Sequence, residues 1–200
     1  MNTLQLQESR KLPVKIYLLK NQKIYWFKNI SSTMDFAKQK AKEKEECVVI
    51  SESQTSGRGK LEKKWISPEG GLWCSIVWAE DSAEILNNLF FLVASAIYDV
   101  LKSYGIKTKI KLPNDIYYKD KKIAGILIEK KGIYVILGIG MNINNKISDA
   151  IPEAISYYEI TNKTISIEKV LENMLNILLY YRKKFPEEKE NFLKKWSEIL

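Results

Sequence analysis

The chain has 200 residues, 46% hydrophobic and 28% charged, with a formal net charge of +8; that length suits one domain with a core of its own, over residues 1–200. It contains no histidine and only two cysteines, which excludes a Ser-His-Asp or Cys-His nucleophile pair, an imidazole-based zinc site and a structural zinc. Chemistry must then rest on Lys, Arg, carboxylates, amides and backbone dipoles, as in phosphoryl or nucleotidyl transfer, and the positive charge favours an anionic partner.

The opening M-N-T-L-Q-L-Q-E-S-R lacks the charged-then-apolar order of a signal peptide. Residues 14–19 and 24–27 are expected as two short strands around K-N-Q-K. The segment I-S-S-T-M-D-F-A-K-Q-K-A-K-E-K then predicts a helix capped by Ser31 or Ser32, with Asp35 in its first turn and Phe36, Ala37 and Ala41 on its apolar face. Its first N–H groups could equally receive a polar ligand group. Residues 47–53 form a strand that feeds Q-T-S-G-R-G-K-L-E-K-K-W, Gln54 to Trp65. Gly57 and Gly59 there flank Arg58, and Lys60, Lys63, Lys64 and Trp65 follow. Glycine permits close backbone approach, and successive N–H groups in such a turn can hold an anion. The segment matches neither a P-loop nor a dinucleotide fingerprint, and by itself it reads equally as a solvated surface loop.

Residues 72–79 are apolar on both faces and predict a central strand. Residues 83–104 predict a long helix, buried and not membrane-spanning, that ends at Gly105. A short strand follows at 107–111, then a bend at Pro113-Asn114-Asp115, a hairpin turn at Lys119-Asp120-Lys121, and strands at 123–130 and 133–139. Gly138 and Gly140 suggest close approach of a backbone or a ligand. The last quarter is helical, with Pro186 expected to break it and a short final helix to carry Phe192, Leu193 and Trp196. Consecutive strands with a long helix against them describe an α+β sheet, not alternating βαβ units. Cys47 and Cys74, both in apolar strands, are expected as buried free thiols, which fits a reducing cytoplasm.

Five segments taken together resemble the biotin protein ligase family: S-T-M-D-F-A, Q-T-S-G-R-G-K-L-E-K-K-W-I-S-P-E-G-G-L-W-C-S, K-L-P-N-D-I, K-K-I-A-G-I-L-I-E and G-I-G-M-N-I-N. They cover residues 31–144. The resemblance implies a mixed, mostly antiparallel central sheet with helices packed on one side, like the class II synthetases. It implies a two-step reaction: biotin and Mg-ATP give biotinyl-5′-AMP and pyrophosphate, and the biotinyl group then passes to a lysine of a biotin carboxyl carrier domain of a carboxylase.

The family's residue roles carry over as follows. Lys122 bridges the biotin carboxylate and the α-phosphate, while Arg58 and Lys60 hold the phosphate. Trp65 lies against adenine and Asn142 helps bind the nucleotide. Ser32, Thr33 and Gln54 hydrogen-bond the ureido head, Met34 contributes through its backbone, and Gly57, Gly59, Gly125 and Leu127 line the biotin pocket. Lys111, Asn114 and Asp115 border the nucleotide and metal region, with Asp115 as proton acceptor in the second step. The sequence departs from the family pattern at Lys60 (usually Arg), Met34 (usually Asn) and Leu112 (often Trp). A lysine at 60 cannot make the bidentate fork to phosphate. A helix-turn-helix is not expected before residue 20, so no DNA and no membrane partner is expected. The family's small C-terminal β-barrel is expected to be absent or truncated. Dimerisation through a sheet edge is allowed by analogy. The rival readings are a lipoate or octanoate ligase of the same fold, and a basic nucleic-acid-binding module whose affinity would fall steeply with salt.

Overall fold

The computed structural model describes residues 13–200. The first twelve residues, on which the expected lack of a signal peptide and much of the expected lack of a helix-turn-helix rest, lie outside the described residues. Eight strands, β1 (Lys15–Leu19), β2 (Gln22–Ile30), β3 (Cys47–Gln54), β4 (Leu72–Ala79), β5 (Lys109–Lys111), β6 (Asp115–Tyr118), β7 (Lys121–Lys131) and β8 (Tyr134–Met141), run in the order β1-β2-β3-β4-β8-β7-β6-β5, and the α+β expectation holds. The residues fall into two compact units. One runs to Ala79 and takes in Leu127–Gly140; the other is Glu80–Ile126 with Met141–Leu200.

In the first unit β1 (Lys15–Leu19) and β2 (Gln22–Ile30) form a hairpin. Its turn residues Lys20 and Asn21 both have positive φ, 52° and 60°, the backbone that matches strand twist in a two-residue loop. The next connection differs from the sequence expectation. Helix α1 (Thr33–Lys42) links β2 to β3 (Cys47–Gln54), and these two strands are parallel, so one βαβ crossover is present. A helix of this length suffices for the crossover. α1 buries Thr33, Met34, Ala37 and Ala41 at helical spacing. They pack on Tyr25, Phe27, Ile30, Val49, Val77 and Ile136, while Phe36 is only partly buried at the margin of that cluster. β4 (Leu72–Ala79) pairs antiparallel with β3 and has seven of its eight residues buried. That is the pattern of the central strand its apolar sequence predicts. β8 (Tyr134–Met141) follows β4 in the strand order, and β7 (Lys121–Lys131) follows β8.

Cys47 and Cys74 are buried free thiols, as expected. Burial pushes each up to about 12. A half-buried carboxylate, Glu45, sits among three donors. Burial raises its pKa, but hydrogen bonds from Lys23, Tyr25 and Lys40 outweigh that and hold it at about 2.

In the second unit α2 (Ala83–Ser103) is capped by Ser82 and closed by Gly105 at φ 84°. By length and composition alone it could cross a membrane, but eleven of its residues are buried within the protein. It packs on α4 (Ile167–Ile199): Phe91 stacks on Trp196 at 4.8 Å, and the Trp196 indole N–H donates to Ser95 at 2.8 Å. α4 corrects the expected break. The chain stays helical through Pro186, leaves helical geometry at Glu188 (φ −117°, ψ 25°) and resumes. Proline removes one hydrogen bond of the ladder, but across the kink Phe185 stacks on Trp196 and meets Phe192 edge-on, which keeps both halves together. Lys195 and Tyr181, from the two halves, both meet the Asp99 carboxylate on α2. Of the three residues expected on the final helix, Phe192 and Trp196 are buried and Leu193 is exposed. β5 (Lys109–Lys111), β6 (Asp115–Tyr118) and the first six residues of β7 form an antiparallel meander. A short helix that the sequence reading missed, α3 (Tyr157–Thr161), opens on a Ser156–Glu159 capping box.

Candidate functional site

Because β2 and β3 are parallel, their C-terminal ends lie at the same end of the pair. β2 delivers Ser31 and Ser32 to the start of α1, and β3 delivers Gln54 to the glycine loop. The backbone N–H groups of Thr55 and Ser56 donate to the carbonyls of Ile30 and Ser31 at 3.0 and 2.8 Å, stitching the two together. This is where ligands bind on sheets with parallel strands.

Ser32 is fully buried and caps α1, its hydroxyl accepting the Asp35 N–H at 3.4 Å. The Gln54 carbonyl oxygen accepts both the N–H and the hydroxyl of Thr33, at 2.8 and 3.1 Å. Thr33 in turn accepts the Ser75 hydroxyl at 2.9 Å. The Gln54 amide donates to the Ser67 hydroxyl at 2.8 Å, which donates to the Trp65 carbonyl at 3.1 Å. Two predicted residues, Thr33 and Gln54, are thus joined in a polar chain with Ser67 and Ser75. Sequence reasoning missed those two because an isolated serine gives no signal of its partner.

The loop folds back on itself. The Trp65 N–H donates to the Gly57 carbonyl at 2.9 Å, and the Gly59 N–H to the Lys63 carbonyl at 2.7 Å. Gly57 has no room for a side chain: a Cβ would lie 2.4 Å from the Trp65 carbonyl oxygen and 2.6 Å from the Ser67 hydroxyl. At the tip Leu61 has φ 55° and is 83% exposed, a left-handed backbone that costs a branched residue about 1–2 kcal/mol. Beside the loop lies an open cleft of about 690 Å³, lined by Ser56 to Gly59, Leu61, Lys63, Lys64, Leu127 and Glu129. Of the predicted residues, Gly57, Arg58, Gly59 and Leu127 therefore line it. Lys60 stands exposed at the start of a 3-10 turn (Lys60–Glu62), and Lys63 and Lys64 line the cleft instead. The Arg58 guanidinium meets the Asp35 carboxylate at 2.7 Å, and Lys38 meets Glu129 at 2.7 Å. At the two strand glycines the closest neighbours are side chains, and the Leu127 backbone carbonyl also comes within 3.3 Å of a Cβ on Gly138. A Cβ on Gly138 would strike the Met34 sulfur at 2.7 Å, and one on Gly140 the Trp65 indole at 2.7 Å. Met34 is thereby a core residue, and Trp65 lies edge-on to Trp73 with ring centroids 6.4 Å apart.

In the second unit one irregularity of the β6–β7 ladder sets the site. Asp115 faces Gly125 and Ile116 faces Ala124, but Tyr117 faces Lys122, so Ile123 is an extra residue. In a regular ladder Lys122 would share a face with Ile116; the bulge turns it onto the face of Asp115 and Tyr117. The Lys122 ammonium lies 2.6 Å from the Asp115 carboxylate, both side chains 22% exposed. The Ile123 carbonyl accepts the Asn142 N–H at 2.9 Å, and buried Asn142 accepts the Asn145 amide at 3.1 Å. Lys122's own backbone is held on both sides, its N–H donating to Glu153 and its carbonyl accepting from Ile155. The Asn114 carbonyl accepts the Ile126 N–H at 2.9 Å. Lys111 is exposed, its ammonium 4.6 Å from the centre of the Tyr117 ring. Burial raises the Tyr117 phenol pKa, helped by the Asp115 and Glu153 charges. Among the described residues no group of three or more acidic, cysteine or histidine side chains gathers to hold a metal.

The chain matches the family model described as the biotin/lipoate A/B protein ligase family over residues 26–144. It belongs to that family. It is 32% identical to a biotin protein ligase from Aquifex aeolicus solved with biotin and ATP, with a TM-score of 0.74, over 82% of this chain and 72% of that one. A biotin protein ligase from Leishmania major solved with biotin gives 25% identity and a TM-score of 0.77, over 88% of this chain and 81% of that one. The bifunctional ligase/repressor BirA of Bacillus spizizenii is 34% identical over 168 residues, 78% of this chain and 51% of that protein. The chain spans about half the length, or less, of the first curated relatives it matches. Every segment behind the sequence resemblance lies within or at the edge of the matched range.

Proposed function

We propose that the protein is a biotin–protein ligase, forming biotinyl-5′-AMP from biotin and ATP and passing the biotinyl group to a lysine of a carrier domain. What supports this most is the likeness to the Aquifex ligase, whose structure holds both biotin and ATP. In the first step a biotin carboxylate oxygen bonds to the α-phosphorus and pyrophosphate leaves. In the second the carrier amine bonds to the acyl carbon, AMP leaves and the amine gives up a proton.

The roles follow from what each group can offer. Ser32, Thr33 and Gln54 hold the ureido head: Thr33 and Gln54 already lie in one polar chain and can exchange partners with a ligand, and the Ser32 hydroxyl stands beside them at the start of α1. Leu127, with Gly57 and Gly59, lines the pocket for the apolar part of biotin, and Gly125 and Met34 contribute only backbone there. Arg58 and Lys60 hold phosphate, joined by Lys63 and Lys64. Trp65 offers its ring to adenine. Lys122 offsets the repulsion between two anions that must meet, and Asp115 aims that ammonium and takes the amine proton in the second step. Lys111, Asn114 and Asn142 border the nucleotide. Asp115 would be the one protein carboxylate offered to magnesium, an ion commonly held by one or two carboxylates and the substrate's phosphates, and the ion would screen phosphate charge. A carboxylase's carrier domain is the partner, and two buried thiols suit a reducing cytoplasm.

The test is pyrophosphate release from ATP and magnesium with biotin, lipoate or octanoate as the only acid. Release with biotin alone is expected. Release with lipoate or octanoate alone moves the protein to the other branch of its family, and release with none removes the ligase reading.

A further inference from the structure

The roles above leave Asp35 unassigned, although it is the carboxylate in contact with Arg58. We infer that Asp35 is an internal counter-anion for Arg58, displaced when a nucleotide phosphate arrives, and that it thereby sets how tightly the cleft holds its anion. This rests on the proposal that Arg58 meets phosphate.

Three observations carry it. The loop fixes the Arg58 backbone: Arg58 bridges Lys64, and its glycine neighbours are bonded to Trp65 and Lys63. The guanidinium can therefore choose between partners only by moving its side chain. The contact with Asp35 is single, one guanidinium nitrogen to one oxygen at 2.7 Å, with both side chains more than a third exposed. Such pairs are weak, whereas phosphate can take a guanidinium bidentately. The other acid at the cleft, Glu129, is already matched by Lys38, so it does not compete for Arg58. Asp35 meanwhile belongs to the first turn of α1, where the helix dipole favours its charge. Once Arg58 has left, the Asp35 carboxylate repels the phosphate that replaced it. Easy release of the anion is the consequence, and a ligase that must let AMP go after each turnover gains from it.

Calorimetric titration of the full chain with AMP tests this. Asp35→Asn should bind AMP about two- to fivefold more tightly than wild type, with a steeper fall in affinity as salt rises. Asp35→Glu, which keeps the charge, should return towards wild type. A purely structural role predicts the opposite, because the amide loses the favourable helix-dipole term. Equal or weaker binding by Asp35→Asn, with wild type binding normally, overturns the inference and leaves the ligase reading standing. No AMP binding by wild type overturns the Arg58–phosphate assignment and the inference with it.

Discussion

Replacing Gly57 with alanine adds one carbon where the structure has no space for it. The new Cβ would sit 2.4 Å from the Trp65 carbonyl oxygen, a backbone atom, and 3.1 Å from the Gln54 amide nitrogen. Real Cβ contacts essentially never fall below 3.0 Å, so the two loop arms must part by about 0.6 Å. The Trp65–Gly57 hydrogen bond, now 2.9 Å, would lengthen beyond useful range, at a net cost of about 0.5–1.5 kcal/mol. Overpacking adds about 1–3 kcal/mol. The loop can relieve most of this by opening, so stability from urea denaturation should fall by only about 1–2 kcal/mol. Biotin affinity should fall too, about 10–30-fold, because Ser67 no longer holds Gln54 against Thr33. Gly59→Ala is the control: its Cβ would meet the Lys63 carbonyl at 3.1 Å, which a few tenths of an ångström relieves. Titration of biotin into wild type and both variants decides the matter. Equal affinities for Gly57→Ala and wild type would refute the claim that the folded-back loop organises the biotin residues.

Lys122→Ala should lower biotin-dependent pyrophosphate release by about 10²–10³ while leaving the urea midpoint near that of wild type, since the side chain is partly exposed. Thr33→Val leaves the Ser75 hydroxyl and the Gln54 carbonyl each short of a partner, and should cost about 1–3 kcal/mol in urea unfolding. Both thiols should resist labelling by a disulfide reagent at neutral pH until the protein is unfolded, because burial pushes each up to about 12. Glu45 is held down at about 2 by its three donors, so its stabilising effect is present above the ordinary carboxylate range and is lost as pH falls from about 4.5 towards 2; Glu45→Gln should abolish that part of the acid-range slope in thermal unfolding.

Much of this was readable in residue order because it depends on local chemistry. The apolar run at 72–79 fixes a central strand, Ser32 and Gly105 punctuate helices, and the cations between Gly57 and Trp65 mark the loop that borders the cleft. What was not readable depends on register and on partners distant in sequence. No local signal says that Ile123 is an extra residue, yet that bulge places Lys122 beside Asp115. Gly138 and Gly140 announced crowding, but only the fold identifies Met34 and Trp65 as its cause. The strand–helix–strand order at residues 22–54 was visible, but its parallel pairing is a matter of topology. The helix break predicted at Pro186 appears at Glu188, because aromatic stacking across the kink holds the first part helical. The short helix after Ser156 was passed over because five residues carry too little periodicity to register.

The most direct test of the account gives the purified protein ATP, magnesium, biotin and an isolated biotin carboxyl carrier domain, and weighs the carrier by mass spectrometry. The account predicts a carrier heavier by one biotinyl group, with no gain when its acceptor lysine is replaced. An unchanged carrier, under conditions where a known biotin ligase modifies it, would contradict the account.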